Sequence, residues 1–413
     1  MNTTATPATA TLKERWDNLL STNPALRIRN AAAELGVSEL ELLATRVGDG
    51  VTRLLPDFRG ILGEVGKLGR VMALTRNNDV VHERKGTYLN PQLGEGHVGL
   101  FVGAEIDLRI FWHAWAHAFA VLEPGKDGVR YSLQFFAPNG EAIHKIYLIA
   151  ESDAGAYHDL VERFRSEDQT PAIQVAPMRG EHPEHPDAQV DVAGLQQEWL
   201  ALKDTHDFHM LLRKYMVSRT QALRLAPAGD YAVPVNNLAL RTIITKAAAE
   251  QCPIMVFVGN PGMLQIHTGE VTKVMDVPEW FNVIDPDFNL HAREGAIASS
   301  WIVRKPSVDG MITALECYDS KGSQLIQLFG KRKPGIPELE QWRALVAAVE
   351  GNSASLDAGV TEGLKVPATF AVRMWTPWYR GGIGADGTGY GRLRLLSLFQ
   401  VLATSLAVCL KCM

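Results

Sequence analysis

Residues 129–150 read VRYSLQFFAPNGEAIHKIYLIA, two runs of strand-forming residues around a short turn. The β-branched and aromatic side chains of both runs favour strands, while Pro138, Asn139 and Gly140 are typical turn residues. Two strands joined by so short a turn run antiparallel. The stretch therefore predicts a β-hairpin and, around it, an antiparallel sheet.

Two stretches before this hairpin have the same character. Residues 70–86, RVMALTRNNDVVHERKG, predict two strands joined by a turn at Asn77 and Asn78. Residues 97–112, HVGLFVGAEIDLRIFW, predict further strands, and helix-forming residues resume at 154–165. Short strands joined by tight turns, followed by a helix, indicate an α+β unit with an antiparallel sheet.

The second half of the chain repeats this unit. At a shift of 183 residues, Met72, Asn77 and Gly86 fall on Met255, Asn260 and Gly269. At a shift of 182 residues, further positions match without a gap, including Pro124, Asp127, Gly128 and Gly140 with Pro306, Asp309, Gly310 and Gly322. Turn residues that match at matching strand spacings indicate a duplication. The predicted fold is α+β, with two tandem repeats that each form an antiparallel sheet with flanking helices.

Composition shifts give the predicted boundaries. The first repeat spans 10–170, a linker rich in Pro, His and acidic residues spans 171–192, and the second repeat spans 193–350. Residues 351–413 form a glycine-rich tail whose conformation the sequence does not indicate. A cleft between the two halves is expected to be lined from both.

Composition also bounds the class of protein. The 413 residues are 46% hydrophobic and 21% charged, as in a globular protein with more than one core. The net charge of −5 produces no overall electrostatic attraction to nucleic acid or anionic lipid. Four cysteines are too few for a disulfide framework, and the N-terminal residues do not resemble a secretion signal. We therefore expect a cytoplasmic protein that does not insert into a membrane.

Residues 27–48, RIRNAAAELGVSELELLATRVG, predict two short helices separated at Gly36 and restarted by Ser38 as N-cap. The same pattern is typical of a DNA-binding helix-turn-helix. The negative net charge and the few basic residues in the second helix favour structural packing. A DNA-binding regulator stays an alternative at this point.

Residues 202–215, LKDTHDFHMLLRKY, predict a helix capped by Asp204 or Thr205. His206 and His209, three residues apart, then share one face of its first turn. The positive end of the helix dipole favours neutral imidazole, whose lone pair can bind a metal or haem iron. From the motif alone, a polar surface pair is the competing interpretation.

The two copies differ where chemistry could be placed. Aligned positions hold different residues in three pairs: Arg109 and His291, His82 and Gln265, Tyr147 and Phe329. Such asymmetry indicates that the halves of the duplicated fold have diverged in function.

Several segments carry a family resemblance: ALTRNNDVVHERKG, EIDLRIFW, DTHDFH, IMVFVGN, SSWIVRKPSVDG and QLFGKR. Through them the chain resembles the HemS/HmuS/ChuS/PhuS family, the haemin-degrading and haem-trafficking proteins of Gram-negative bacteria. The resemblance covers residues 10–350. It implies a cytoplasmic protein that binds haem b in a cleft between two similar halves.

The resemblance also implies roles for eight residues. His206 matches the proximal iron ligand, and His209 matches a second histidine that serves as an alternate ligand. Arg109 matches the distal arginine that faces the iron. Phe111 and Phe257 match aromatic residues beside the porphyrin. Lys305 and Arg332 match the basic residues near the propionates. Phe329 departs from the pattern, because relatives commonly carry tyrosine there.

Chemistry agrees with these roles, since haem is a flat apolar macrocycle with two carboxylates at one edge. The first functional interpretation is a carrier that receives haem from an inner-membrane importer and passes it to a haem oxygenase. The alternative is an enzyme that opens the porphyrin with oxygen and an external reductant, with Arg109 as the distal catalytic residue.

Overall fold

The computed structural model describes residues 10–125, 128–177, 184–333 and 335–361. The predicted tail, 351–413, lies outside the described residues except for the end of the last helix, which continues to Thr361. The helices are α1 (Leu12–Thr22), α2 (Ile28–Leu35), α3 (Glu39–Ala44), α4 (Phe58–Glu64), α5 (Ala154–Arg163), α6 (Val192–Leu200), α7 (Asp207–Tyr215), α8 (Arg219–Arg224), α9 (Ala239–Ala249) and α10 (Glu340–Thr361).

The strands form two large sheets, and every strand pair within them is antiparallel, which confirms the predicted fold class. Strands of the first half are β1 (Val51–Leu54), β2 (Gly69–Arg76), β3 (Val80–Thr87), β4 (Pro91–Gln92), β5 (Val98–Val102), β6 (Asp107–Phe111), β7 (His117–Gly125), β8 (Gly128–Phe136) and β9 (Ala142–Ser152). Strands of the second half are β10 (Ala232–Val235), β11 (Ile254–Asn260), β12 (Met263–Gly269), β13 (Val274–Val277), β14 (Trp280–Ile284), β15 (Phe288–Ala292), β16 (Ser299–Ser307), β17 (Gly310–Tyr318) and β18 (Gln324–Gly330).

The halves exchange strands. The first sheet has the order β1-β7-β8-β9-β2-β3-β15-β14-β13, and the second has β10-β16-β17-β18-β11-β12-β6-β5-β4. Strand β6 of the first half therefore pairs with β12 of the second, with Arg109 opposite Leu264. Strand β15 pairs in the same way with β3, with Leu290 opposite His82. Each sheet is thus completed by three strands from the other half.

The two repeated turn asparagines fasten the halves together. The Asn77 side-chain oxygen accepts the backbone N–H of Val80 at 2.9 Å, which closes the β2–β3 turn. Its amide nitrogen donates to the carbonyl of Leu325 in the other half at 2.7 Å. Asn260 does the reverse, because its amide donates to the carbonyls of Arg76 at 2.9 Å and Ile143 at 2.8 Å. Each asparagine thus binds backbone carbonyls of the other half.

The exchanged strands pack into the core of their own half, although they pair in the sheet of the other half. The core of the first half includes Leu108 and Ile110 from β6 together with Met263 from β12. The core of the second half includes Phe288 and Leu290 from β15 beside α9 and α10. Met263 in the first core and Val80 in the second are the residues that each half contributes to the other cluster, and together with the strand exchange they join the two repeats into one compact unit.

Two helix pairs occupy equivalent places in the repeats. The pair α2–α3 lies in the first half and the pair α7–α8 in the second, and both second helices have six residues with a serine N-cap, Ser38 and Ser218. In α3, all residues but one are buried. That packing supports a structural role for residues 27–48, because a DNA-reading helix needs an exposed face. Among the described residues, no helix has the length and apolar character needed to cross a membrane.

Three buried histidines predict that the stability of the protein falls at acid pH. His82, His144 and His267 are almost fully buried. Burial lowers the pKa of His144 and of His267 to about 3, and the pKa of His82 falls well below its usual value for the same reason. The unfolded chain takes up a proton at each ring near pH ~6.5, where the folded protein does not. Stability is therefore full above that pH and is lost as the pH falls, by up to about 1.4 kcal/mol per pH unit per ring.

His267→Phe tests this dependence, because phenylalanine keeps the stacking of ring 267 on Phe288, whose centroids lie 3.8 Å apart. Between pH ~7.5 and ~5.5, we expect the variant to lose about 1.4 kcal/mol less unfolding free energy than the parent protein. Urea unfolding at both pH values measures this difference, with exposed His97→Ala as the control. Equal losses in the variant and the parent would contradict the assignment of His267 as a buried neutral ring.

Candidate functional site

One face of the second sheet, here called the cleft face, holds most of the predicted site. Along β6, Leu108 and Ile110 point into the core, so Arg109 and Phe111 lie on the opposite side. Residues that lie opposite each other on neighbouring strands point to the same side of the sheet. Leu264 lies opposite Arg109, and Gln327 lies opposite Phe257, so these residues extend the same face across the sheet. The predicted distal and wall residues therefore share one surface, to which both halves contribute.

The aromatic residues of this face form a partly exposed apolar floor. The rings of Phe257 and Phe329 pack edge to face with centroids 5.0 Å apart, and both side chains are partly accessible. Met255, opposite Phe329 in the register, and Leu264 are also partly accessible. Such a floor suits a flat apolar ligand.

His206 lies immediately before α7, and its ring is held by Asp204. The Asp204 carboxylate accepts the His206 backbone N–H at 2.9 Å and contacts ring Nδ1 at 2.6 Å. A carboxylate partner places the proton of the neutral ring on Nδ1, which leaves the Nε2 lone pair free. The His206 side chain is 88% exposed, so this lone pair is open to a ligand. The His206 backbone N–H lowers the pKa of Asp204, and the His206 ring and Arg332 lower it further.

The helix begins one or two residues later than the predicted caps Asp204 and Thr205 imply. Residue 206 itself is the N-cap and α7 starts at Asp207, with no side chain capping it. The reason is that Asp204 binds the backbone N–H of residue 206 in a turn that precedes the helix. His209 lies in the first turn and is exposed. Partial desolvation of its ring by neighbouring groups, with Arg213 and Arg219 nearby, lowers the pKa of His209, which favours the neutral form.

Arg109 lies on the cleft face but is turned toward its own strand. Its guanidinium pairs with Asp107 and donates to the Leu108 carbonyl at 3.1 Å. Burial raises the pKa of Asp107, while the guanidinium opposes this shift. The Arg109 side chain is 28% exposed. The arginine thus makes a strand ion pair while its side chain keeps some contact with solvent.

Lys305 is neither a solvated surface lysine nor a free cation. It is 3% exposed, and its ammonium donates to Glu316 at 2.7 Å. It also lies 4.5 Å from the centre of the Phe208 ring. Burial lowers the pKa of Lys305 to about 8, although Glu316 opposes that shift. Arg219 joins the same carboxylate at 2.9 Å, so one buried carboxylate serves two cations.

The positive charge of Arg332 contributes to the lowered pKa of Asp204, although the contact that the guanidinium makes is with Asp309. One terminal nitrogen donates to Asp309 at 3.1 Å, and the side chain is 20% exposed. The buried Nε has no hydrogen-bond partner within the described residues. A second acceptor could therefore bind this guanidinium without displacing Asp309.

The equivalent face of the first sheet is polar. Positions of the first sheet that correspond to the cleft face hold charged or hydrogen-bonding groups. Glu83, Lys145, Tyr147 and His291 lie there, where the second sheet has Ile266, Gln327, Phe329 and Arg109 respectively. His291 is 3% exposed, and its Nδ1 contacts Asn282 at 2.6 Å. A flat apolar ligand placed there would desolvate these groups without replacing their partners. Of the two equivalent faces within the described residues, the one on the second sheet therefore offers the partly accessible apolar surface.

Sequence reasoning missed Glu316, Arg219 and Gln327, which form the polar edge of the cleft face. Glu316 had a detectable signal, since it is a single acid inside the apolar run MITALECY. A lone carboxylate in a buried strand requires a cationic partner. Arg219 had no such signal, because its approach to Glu316 depends on how α8 packs on the sheet.

Two surface depressions lie apart from the cleft face. One, of about 210 Å³, is lined by residues of β16, β17 and α10, including Arg304, and by Glu338, which precedes α10. The other, of about 220 Å³, lies beside Arg53 and His117 in the first half. Neither is lined by the eight predicted site residues, and both are small for a haem-sized ligand.

Known proteins share this architecture and sequence. A family model, the haemin-degrading HemS/ChuX domain, matches residues 36–164 and again residues 216–349. The hemin transport protein HmuS of Yersinia pestis is 40% identical over 339 residues, which cover 82% of this chain and 97% of HmuS. The two domain matches agree with the duplication predicted from the repeated turns.

Solved structures of haem-binding proteins also resemble this chain over most of its length. The crystal structure of holo-PhuS, a haem-binding protein from Pseudomonas aeruginosa, is 46% identical with a TM-score of 0.80, covering 82% of this chain and 98% of PhuS. ChuS, described as an Escherichia coli haem oxygenase, is 36% identical with a TM-score of 0.74, covering 82% of this chain and 99% of ChuS. One of these relatives is thus named for binding and the other for degradation.

Proposed function

Because this chain belongs to the HemS family of haem-binding and haemin-utilisation proteins, we propose that it binds one haem b over the cleft face, with His206 as the iron ligand. The observation that carries the proposal is the His206–Asp204 pair, since Asp204 orients the ring and leaves Nε2 free. Neutral histidine with a carboxylate on its other nitrogen is a common metal-ligating arrangement. Titration with haem, followed by the Soret band, tests the proposal and is expected to saturate at one equivalent.

The remaining residues supply what the porphyrin requires. Phe257, Phe329 and Phe111 would face the macrocycle, and Arg109 would lie on the side opposite His206. Arg219, Lys305 and Glu316 together carry one net positive charge, which suits a propionate. Phe329 has no hydroxyl, so propionate binding depends more on Arg332 and the buried cations.

The cellular role that we propose is a cytoplasmic carrier that receives haem from an inner-membrane importer and passes it to a haem oxygenase. Its support is the presence of two exposed histidines on one helix turn, His206 and His209. A second imidazole offers iron an alternative ligand during release. On-protein degradation is the second candidate, and it is supported by the likeness to ChuS and by the placement of Arg109.

Arg332→Ala should weaken haem binding about tenfold. Its guanidinium can form a charge-assisted hydrogen bond with a propionate, which contributes about 1.5–3 kcal/mol. The affinity for the haem dimethyl ester, which lacks the carboxylate charges, should fall less than threefold in the same variant. Competition titrations with both ligands measure the difference.

Arg343→Ala is the control, because this arginine is paired with Glu338 next to α10, away from the cleft face. It should leave both affinities unchanged. If Arg332→Ala weakens haem and its diester equally, Arg332 does not bind a propionate.

A further inference from the structure

We propose that Glu316 is a positioning residue that fastens α7 and α8 to the cleft face and so determines which histidine faces bound haem. The fastening of the helices is a property of the protein without ligand. Its consequence for iron ligation rests on the proposed haem-binding function.

Glu316 is fully buried on β17, and its carboxylate is saturated with donors. Oε1 accepts from Lys305 Nζ and from Gln327 Nε2, both at 2.7 Å. Oε2 accepts from Arg219 Nε at 2.9 Å, and a second nitrogen of the same guanidinium donates to Oε1 at 3.1 Å. The Tyr318 hydroxyl also donates to Oε2. The bidentate pair with Arg219 fixes the direction of the guanidinium as well as its position.

The two cations connect this carboxylate to the histidine helix. Arg219 is the first residue of α8, and its guanidinium carbon lies 5.4 Å from the centre of the Phe208 ring. Lys305 Nζ lies 4.5 Å from the same ring. Phe208 is buried in the first turn of α7, between His206 and His209. Both cations therefore contact an aromatic ring that lies two residues after His206 and one residue before His209.

Loss of the Glu316 carboxylate would remove the ion pairs that hold Arg219 and Lys305 beside Phe208. Burial lowers the pKa of Lys305 to about 8, so the lysine keeps its charge near neutral pH because Glu316 opposes the cost of burial. Without Glu316, the Arg219 guanidinium would lose its counter-ion, and the buried Lys305 would lose the group that keeps it charged. We expect Arg219 to turn toward solvent and α8 and α7 to loosen with it.

The first half contains a corresponding fastening with opposite charges. Glu39, the first residue of α3, pairs with Lys145 on β9, and both are buried. Arg219 begins α8 in the same way and pairs with a strand carboxylate. Each helix pair is thus anchored by one buried ion pair, and only the second pair carries histidines at the cleft.

Hydrogen exchange of the ligand-free protein tests the fastening directly. In Glu316→Gln, amides of α7 such as Leu211 and Leu212 should exchange at least about tenfold faster, because their local opening becomes easier. Glu39→Gln, which breaks the corresponding ion pair of the first half, should leave these amides unchanged. Equal protection of α7 in Glu316→Gln and the parent protein would overturn the proposal. If Glu316→Gln does not fold, Glu316→Asp should show the same effect at smaller size, and unchanged exchange there would overturn it equally.

Electron paramagnetic resonance of the ferric haem complex tests the consequence for ligation. The parent protein and Glu39→Gln should each give one ligation species, whereas Glu316→Gln should give two. Adding His209→Ala to Glu316→Gln should remove the second species. A single species in Glu316→Gln would overturn the effect on ligand choice. If the chain bound no haem at all, the proposed function would fail, but the exchange result would still decide the role of Glu316 in holding the helices.

Discussion

Replacing His206 with alanine is expected to weaken haem binding by roughly a hundredfold or more and to shift the Soret band. Loss of an iron ligand removes more binding energy than loss of the groups that orient it, which alone typically costs ~10–100-fold in affinity. His206 has both features of a ligand, an oriented ring and an exposed lone pair. Haem titration of parent and variant proteins, followed by absorbance, measures both effects.

Other histidines supply the controls. His97→Ala removes an exposed ring outside the cleft and should change nothing. His82 and His291 are buried rings of the β3–β15 region, so their replacement should lower stability more than haem affinity. An unchanged spectrum in His206→Ala, together with loss of binding in His82→Ala or His291→Ala, would show that the iron ligand lies elsewhere.

Local features of the fold were predictable because they depend on few neighbouring residues. The Asn77 turn and the 129–150 hairpin formed as their turn residues indicate. Strand exchange was not predictable in this way. The alternation in β6 is the same whether the strand joins the first sheet or the second, and its pairing with β12 depends on residues more than 150 positions away. The repeat predicted two similar units, and their interlocking required the structure.

The same distinction applies to the site. Alternation along β6 correctly placed Arg109 and Phe111 on the face opposite Leu108. The predicted start of α7 was too early. The capping rule does not distinguish a side chain that caps a helix from one that forms a turn before it, and Asp204 forms such a turn. The environment of Lys305 was not predictable at all, since its burial follows from Glu316 and from the packing of Phe208 above it.

The role of His209 separates a carrier from an enzyme. His206 and His209 are three residues apart at the start of α7, where side chains at this spacing lie about 5–6 Å apart between Cβ atoms. Partial desolvation and two nearby arginines lower the pKa of His209, so its ring is neutral and has a lone pair for iron near pH ~7. A small movement of haem or helix could then exchange one ligand for the other.

His209→Ala should therefore leave resting haem affinity within about threefold of the parent value but slow transfer to a haem oxygenase by about tenfold, a barrier increase of about 1.4 kcal/mol. Stopped-flow mixing of the loaded protein with apo-oxygenase measures transfer. The neighbouring exposed Met210→Ala controls for altered docking by the same helix face. A turnover assay with oxygen and a reductant, run in parallel, detects degradation on the protein itself. Unchanged transfer in His209→Ala, combined with catalytic iron release by the parent protein alone, would reject the carrier and favour the enzyme, because ring opening on the protein does not require a second ligand on the same turn.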